Sequence, residues 1–408
     1  LHHLEPLLNL GLSEFANQTI NVQFVDVNGY GNSLFVDNIN FVNNDGSLVI
    51  TNPIPGCIDS NAINYNANAN VDDGSCYYTA FGSQLIVLNQ GWNLISSYVI
   101  PTNPDLEAVL NDVEEQVVIA KDNLGNAYLP DWNFNAIGDL SNSEGYQIKV
   151  TADCNFTVEG EIIAPENNPV LVQEGWNFIS YLRQTDANAE LILEDVSEAI
   201  VIVKNYLGNA YLPDWNFNGI GDFEPGQGYQ LKASSAFELQ YISNNEEYRT
   251  TDLETVKNEV SNKEFSLNTG SNMHLLIPEN TWDTAVSLAD ELYAYDAEGK
   301  LIGASKITLP NTLICLWGDD MLTEEKEGLY TSEEVSYKVW NKTSGLERSI
   351  QISAITSTNF AQDQLTIATK VTENTFSNHI QLMDAVPNPA KDQTLIRLYI
   401  ENDSELQL

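Results

Sequence analysis

Two cysteines enclose the part of the chain that is richest in side chains able to bind a cation. Between Cys57 and Cys76 lie the oxygen-bearing side chains Asp59, Asn64, Asn66, Asn68, Asn70, Asp72 and Asp73. Calcium takes about six to eight oxygen ligands, so this loop is a candidate Ca2+ site. The spacing lacks the central Gly and the terminal Glu of an EF-hand, so a spacer made of Asx turns is the alternative. In an exported protein we expect Cys57 and Cys76 to form a disulfide.

Residue patterns that support catalysis are missing from the sequence. The four histidines are His2, His3, His274 and His379. None belongs to a His-Glu-x-x-His zinc motif, Gly-x-Ser-x-Gly does not occur, and no His is matched to the remaining cysteines, Cys154 and Cys315. A bridge between those two cysteines is a minor alternative. We therefore predict no catalytic residues and no enzyme activity within this chain.

An internal repeat organises the middle of the chain. Gly91–Ser96 recurs with one change as Gly175–Ser180, and Leu124–Asn135 recurs residue for residue as Leu207–Asn218. Matched blocks in the same order indicate two tandem copies of one module.

Aromatic side chains inside the repeated block are candidates for ligand binding. They are Tyr128, Trp132 and Phe134 in the first copy and Tyr211, Trp215 and Phe217 in the second. If exposed, such rings are able to stack on sugars from two linked sites. The alternative is that Trp132 and Trp215 pack with Trp92 and Trp176 in the core of each module.

Short β-branched and aromatic runs separated by Gly, Asn, Pro and Asp predict strands and turns throughout. Helix is expected only briefly, after Asn103-Pro104-Asp105 and in the corresponding stretch from Asp186, where polar caps precede acidic residues. The predicted fold class is all-β, with several antiparallel sandwich-like modules in tandem and few short helices. The predicted segments are 1–50 (end of a sandwich), 51–79 (Asp/Asn-rich loop), 80–160 and 161–243 (repeat modules 1 and 2), 244–263 (linker), 264–375 (β-sandwich) and 376–408 (start of a further β domain).

Charge narrows the range of partners. The formal net charge is −41, so nucleic acid and anionic membranes are poor partners. The sequence has no apolar run long enough to span a bilayer, so we predict no transmembrane segment. The start of the chain lacks Met and the features of a signal peptide, which favours a fragment of a longer product.

Two motifs carry a resemblance to a known family. The Cys57–Cys76 stretch is similar to a cysteine-bracketed repeat of Bacteroidetes surface proteins. Val386-Pro387-Asn388-Pro389 with the alternating residues that follow resembles the start of the sorting domain of type IX secretion substrates. The resemblance implies export by that secretion machinery, an extracellular or outer-surface location, and calcium binding at Asp59, Asp72 and Asp73.

Residues 1–50 resemble the closing strands of jelly-roll and adhesin-type sandwiches. By that resemblance Asp37 is a further candidate calcium ligand, and a local turn residue is the alternative. Residues 264–375 look like a sandwich module found before type IX sorting domains, which implies no function.

The sequence therefore predicts a non-catalytic stalk and adhesion region of a secreted cell-surface protein, with a carbohydrate or cell-surface ligand as partner. The alternative is the accessory C-terminal region of a secreted metallopeptidase or glycan-degrading enzyme whose catalytic domain lies outside this chain.

Overall fold

A computed structural model of the protein describes residues 54–60, 62, 64–76, 80–249, 255–257 and 259–374, and the backbone of two strands at 380–386 and 395–400. The chain divides into two units, residues 1–78 and 79–408. Strands in antiparallel sheets dominate both repeats and the domain that follows, and the helices are short. The predicted all-β class is confirmed. Asp37 lies outside the described residues.

The first unit contains the cysteine-bracketed loop. Two short parallel strands, β1 (Pro55–Gly56) and β2 (Val71–Asp72), pair across it. Cys57 and Cys76 form the predicted disulfide.

Repeat 1 is a small two-sheet module. One sheet has the order β3-β10-β5 and the other the order β4-β9-β6-β7-β8. Apolar side chains such as Ile86, Ile148 and Phe156 are buried together and form its core. The strands are β3 (Ala80–Leu88), β4 (Gly91–Ile95), β5 (Val99–Pro101), β6 (Val117–Lys121), β7 (Ala127–Leu129), β8 (Phe134–Asn135), β9 (Tyr146–Val150) and β10 (Cys154–Ile162).

Repeat 2 repeats the five-stranded sheet in the order β12-β18-β14-β15-β16, beside the two-stranded sheets β11-β19 and β13-β17. Its core is a separate apolar cluster that includes Tyr181, Phe223 and Tyr229. The strands are β11 (Val170–Val172), β12 (Gly175–Ser180), β13 (Ala187–Asn188), β14 (Ile200–Lys204), β15 (Ala210–Leu212), β16 (Phe217–Asn218), β17 (Asp222–Phe223), β18 (Gly228–Ala233) and β19 (Phe237–Leu239).

Each repeat has one short α-helix where the sequence predicts it, α1 (Leu106–Leu110) and α2 (Ala189–Ile192). Asp105 accepts a hydrogen bond from the Glu107 amide at 2.9 Å, and Asn188 accepts one from the Glu190 amide at 3.0 Å. These are N-caps, and each satisfies an amide that has no partner within the helix. Short 3-10 helices of three or six residues lie at Asn111–Gln116, Pro130–Trp132, Pro165–Asn167, Glu194–Ala199, Pro213–Trp215 and Glu279–Thr281.

The domain after the repeats, residues 264–374, which we call the sandwich, consists of one seven-stranded sheet in the order β22-β21-β24-β25-β26-β20-β23. All neighbours are antiparallel except β20 and β26. The sheet curls, because Gly303 on one edge strand lies against the Cys315 carbonyl on the other, and it encloses its own apolar core. The strands are β20 (Asn272–Pro278), β21 (Glu291–Tyr295), β22 (Leu301–Lys306), β23 (Asn311–Trp317), β24 (Ser336–Asn341), β25 (Leu346–Ala354) and β26 (Leu365–Glu373).

The segment 244–263 has no helix or strand in its described residues. Val256 packs beside repeat 2, and its amide donates to the Asn218 carbonyl at 2.8 Å. After the sandwich, β27 (Ile380–Val386) and β28 (Leu395–Ile400) form an antiparallel hairpin at the place where the sequence predicts a new β domain. Pro387-Asn388-Pro389 lies outside the described residues.

The two repeats also contact each other directly. The Ser96 amide of repeat 1 donates to the Gly226 carbonyl of repeat 2 at 3.0 Å, and the Tyr181 amide donates to the Ser96 hydroxyl at 3.0 Å. Both repeats also pack on the sandwich, so all three share interfaces within the second unit.

Candidate functional site

Repeat 1 is attached to the sandwich through the tryptophan of its Gly-Trp-Asn motif. Trp92 is buried, and its indole nitrogen donates to the Asp320 carboxylate at 2.8 Å. Lys149, from the neighbouring strand, forms an ion pair with the same carboxylate at 2.7 Å. The Gly270 backbone lies on the indole ring, where a Cβ would come within 2.8 Å of ring atoms. Trp92 is therefore an anchor between modules.

Repeat 2 is attached to the sandwich through a different position of the repeated module, Lys204, which is the counterpart of Lys121. The Lys204 ammonium is buried and lies 4.4 Å from the centre of the Trp176 ring. It pairs with Asp363 of the sandwich at 2.7 Å and donates to Asn272 at 3.0 Å. Burial lowers the pKa of Lys204, and the Asp363 carboxylate opposes that shift.

Sequence reasoning missed these anchors. The available signal was the recurrence of Lys121 as Lys204 and of Lys149 as Lys232, in a chain that has only 17 lysines and arginines. Repeated cations in so acidic a chain indicate fixed carboxylate partners, but spacing does not reveal which ones.

The identical segments of the two repeats have different surroundings. In repeat 2, Leu212 and Phe217 are buried in a cluster with Leu276 and Leu313 of the sandwich. In repeat 1, Phe134, the counterpart of Phe217, is 50% exposed. The outer face of the sheet is thus covered in repeat 2 and partly open in repeat 1.

The predicted ligand-binding aromatics separate into two groups. Tyr128 and Tyr211 are buried in the cores of their repeats, and burial raises the pKa of each hydroxyl to about 12. Trp215 is partly buried against the sandwich, and its carbonyl accepts a hydrogen bond from Asn311 at 2.8 Å. Trp132 is 80% exposed. Of these four rings, only that of Trp132 is largely open to solvent.

We define the open face as the uncovered half of the repeat 1 sheet, formed by Lys121, Ala127, Leu129, Trp132 and Phe134. Lys121 is opposite Ala127 in the strand register, and Leu129 is opposite Phe134. Directly opposite residues share one side of a sheet, and so do alternate residues of one strand. Trp132 lies in the 3-10 turn between the last two strands.

A cleft of about 180 Å³ adjoins the open face, between repeat 1 and the sandwich. Trp92 and Lys121 of repeat 1 line one part of it, and Asp320, Tyr330 and Phe360 of the sandwich line another. It combines aromatic walls with a cation, which is typical of sites for small polar ligands.

In the cysteine-bracketed loop, oxygens of the predicted calcium ligands accept hydrogen bonds from the loop itself. Asp72 accepts from the Gly74 amide and Asp73 from the Ser75 amide, both at 3.0 Å. Asn66 accepts from the Asn68 amide at 3.0 Å. The Asn64 side chain donates to the Ser75 carbonyl at 2.7 Å. These are the contacts of an Asx-turn loop, and Asp59 lies in the same disulfide-closed stretch.

One group of three carboxylates among the described residues is close enough to hold a metal ion. It consists of Asp296, Glu298 and Glu333 in the sandwich. The Lys326 ammonium lies among them, 2.7 Å from Glu333 and 2.9 Å from Glu298. Hydrogen bonds and charge from these carboxylates outweigh partial burial and raise the Lys326 pKa. The Lys326 ammonium therefore already occupies the place between these carboxylates that a metal ion would take.

The structure gives Cys315 a histidine neighbour that the sequence did not reveal, because His274 is directly opposite it in the sheet. Burial lowers the pKa of His274 to about 3 and raises that of Cys315 to about 12. A neutral imidazole beside a neutral thiol does not supply a nucleophile at neutral pH. Cys154 is also a free thiol.

Comparison with protein-family models, curated proteins and solved structures found no match. Within the part of the chain that is described, no helix is both long and apolar enough to cross a membrane. The disulfide fits an oxidising environment.

Proposed function

We propose that this chain is a non-catalytic accessory region of a secreted cell-surface protein, and that the open face of repeat 1 binds carbohydrate. One observation carries the proposal. A segment of identical sequence is buried against the sandwich in repeat 2, whereas in repeat 1 it exposes Trp132 and half of Phe134.

Apolar side chains that are exposed next to one another often mark an interaction surface, whereas single exposed apolar residues are common on any protein. An indole ring offers a flat apolar surface at little cost in conformational entropy, and the C–H face of a sugar ring stacks on such a surface. Trp132 also lies on a rigid element, because the turn that carries it is closed by the hydrogen bond from the Asn133 amide to the Pro130 carbonyl at 2.9 Å.

The two repeats then have different roles. Repeat 2 uses its outer face to hold the sandwich, and repeat 1 keeps half of the same face for a ligand. Binding therefore depends on one site per chain, and avidity requires several chains on a surface.

The proposal also includes export of this protein from the cell. The disulfide and the sorting-domain resemblance support transport by a type IX secretion machinery to the outer surface. The loop at Cys57–Cys76 is then a disulfide-stapled spacer built of Asx turns, in which Asp72 and Asp73 accept hydrogen bonds from loop amides.

A glycan array probed with the whole chain tests carbohydrate binding. We expect Trp132→Ala to abolish the signal. The matched control is Phe81→Ala, which removes another exposed aromatic side chain from repeat 1, on a strand of the other sheet. Equal signals from the wild type and Trp132→Ala, or no signal from the wild type, would contradict the proposal.

A further inference from the structure

The cation at the edge of the open face differs from its counterpart in repeat 2. Lys204 has a carboxylate partner, Asp363, and an amide partner, Asn272. Lys121 occupies the same position in repeat 1, where its ammonium lies 4.7 Å from the centre of the Trp92 ring. Among the described residues it forms no hydrogen bond and no ion pair.

The carboxylates nearest to Lys121 already have partners. Asp320 accepts from Trp92 and Lys149. Asp319 accepts from the Glu327 amide at 2.8 Å. Neither carboxylate forms an ion pair with Lys121, although both line the cleft with it. Burial lowers the pKa of Lys121, and the charge of Asp320 opposes that shift from a longer distance.

In repeat 2 the lysine at this position, Lys204, binds a carboxylate of the sandwich. There the lysine and Gln230 both donate to Asp363, at 2.7 and 3.2 Å. Lys121 has Gln147 as the corresponding neighbour in the strand register. The repeated module thus presents a lysine to a carboxylate, and in repeat 1 that lysine faces a solvent-accessible cleft.

We propose that the carbohydrate bound by repeat 1 is acidic, and that Lys121 in the cleft binds the carboxylate of a uronic-acid unit while Trp132 stacks on a neighbouring sugar. This inference rests on the proposed carbohydrate binding and deepens it. Two strand spacings separate Lys121 from Phe134, roughly 10 Å across the sheet. A chain of a few sugars reaches from the cleft to the aromatic rings.

The cleft offers a sugar ring one cation, Lys121, and the Asp319 and Asp320 carboxylates in its wall already accept from donors of the protein. Tyr330, which is 50% exposed, provides aromatic surface, and Gln362 provides an amide. The cleft is partly shielded from water, so a charge-assisted hydrogen bond there is stronger than one at an open surface.

Calorimetric titration of the whole chain with a galacturonic acid tetramer and with the neutral galactose tetramer tests the inference. We expect the acidic tetramer to bind at least about tenfold more tightly, since hydrogen bonds to charged groups contribute enough for that ratio. Lys121→Met should remove the preference, and Lys121→Arg should keep most of it.

Lys342→Met is the matched control, because it removes an exposed lysine that does not line the cleft. A thermal melt of each variant checks that the fold is intact. Equal affinity for both tetramers, unchanged in Lys121→Met, would overturn the acidic specificity and leave carbohydrate binding in place. Failure of both tetramers to bind, together with a blank glycan array, would overturn both proposals.

Discussion

Phe134 and Phe217 allow a direct measurement of what the sandwich contributes to repeat 2. They have the same sequence neighbours, but Phe134 is 50% exposed and Phe217 only 2%. An aromatic side chain buries about 200 Å² when fully covered, so the difference is about 100 Å². At about 25 cal/mol per Å², this area corresponds to about 2.5 kcal/mol.

Substitution of each phenylalanine by alanine should therefore have unequal effects. We expect Phe217→Ala to lower the free energy of unfolding by about 3 to 5 kcal/mol, because a cavity is left as well. For Phe134→Ala we expect a loss smaller by about 2.5 kcal/mol. Urea unfolding followed by tryptophan fluorescence gives both values, and hydrogen exchange of the strand amides assigns the loss to one repeat.

A difference below about 1 kcal/mol between the two variants would refute the reasoning. It would mean that repeat 2 does not hold the sandwich through this face in solution. The asymmetry on which the binding proposal rests would then be lost as well.

Three further predictions concern buried charge and the disulfide. His274 has a lowered folded-state pKa, so its contribution is present above the unfolded pKa and is lost as pH falls below about 6.5. Between pH 7 and 5 the wild type should lose about 2 kcal/mol more stability than His274→Gln, measured by urea unfolding at both values; parallel losses would contradict this. Lys204→Met should lower the unfolding free energy by about 3 kcal/mol, because Asp363 loses its partner, whereas Lys121→Met should cost far less in the same assay. Replacing Cys57 and Cys76 with serine should destabilise the first unit by about 3 kcal/mol, measured as faster proteolysis within the loop; an unchanged cleavage rate would argue against it.

Local features of this fold follow closely from the sequence. The caps at Asp105 and Asn188 predict where the helices begin because a cap needs only its own first turn. The disulfide follows from two cysteines around one short loop. The repeat predicts two similar modules because identical residues make identical local contacts.

The functional asymmetry could not be predicted in this way. Leu124–Asn135 and Leu207–Asn218 are the same sequence, so no local rule assigns them different exposure. The sandwich decides it, through strands that follow the first of these segments by more than a hundred residues. The same limit hid the facing pair of His274 and Cys315, since the register of β20 against β23 is set by tertiary packing.

The bare aromatic rings of repeat 1 also bear on colloidal behaviour. An exposed apolar surface favours association of two molecules. Each molecule is also a polyanion with a formal charge of −41, and this charge opposes association. Mutual repulsion acts over about 10 Å at 0.1 M salt and over about 30 Å at 0.01 M. Trp132 can therefore stay exposed in dilute buffer, and the ionic medium sets how closely copies of the chain approach one another.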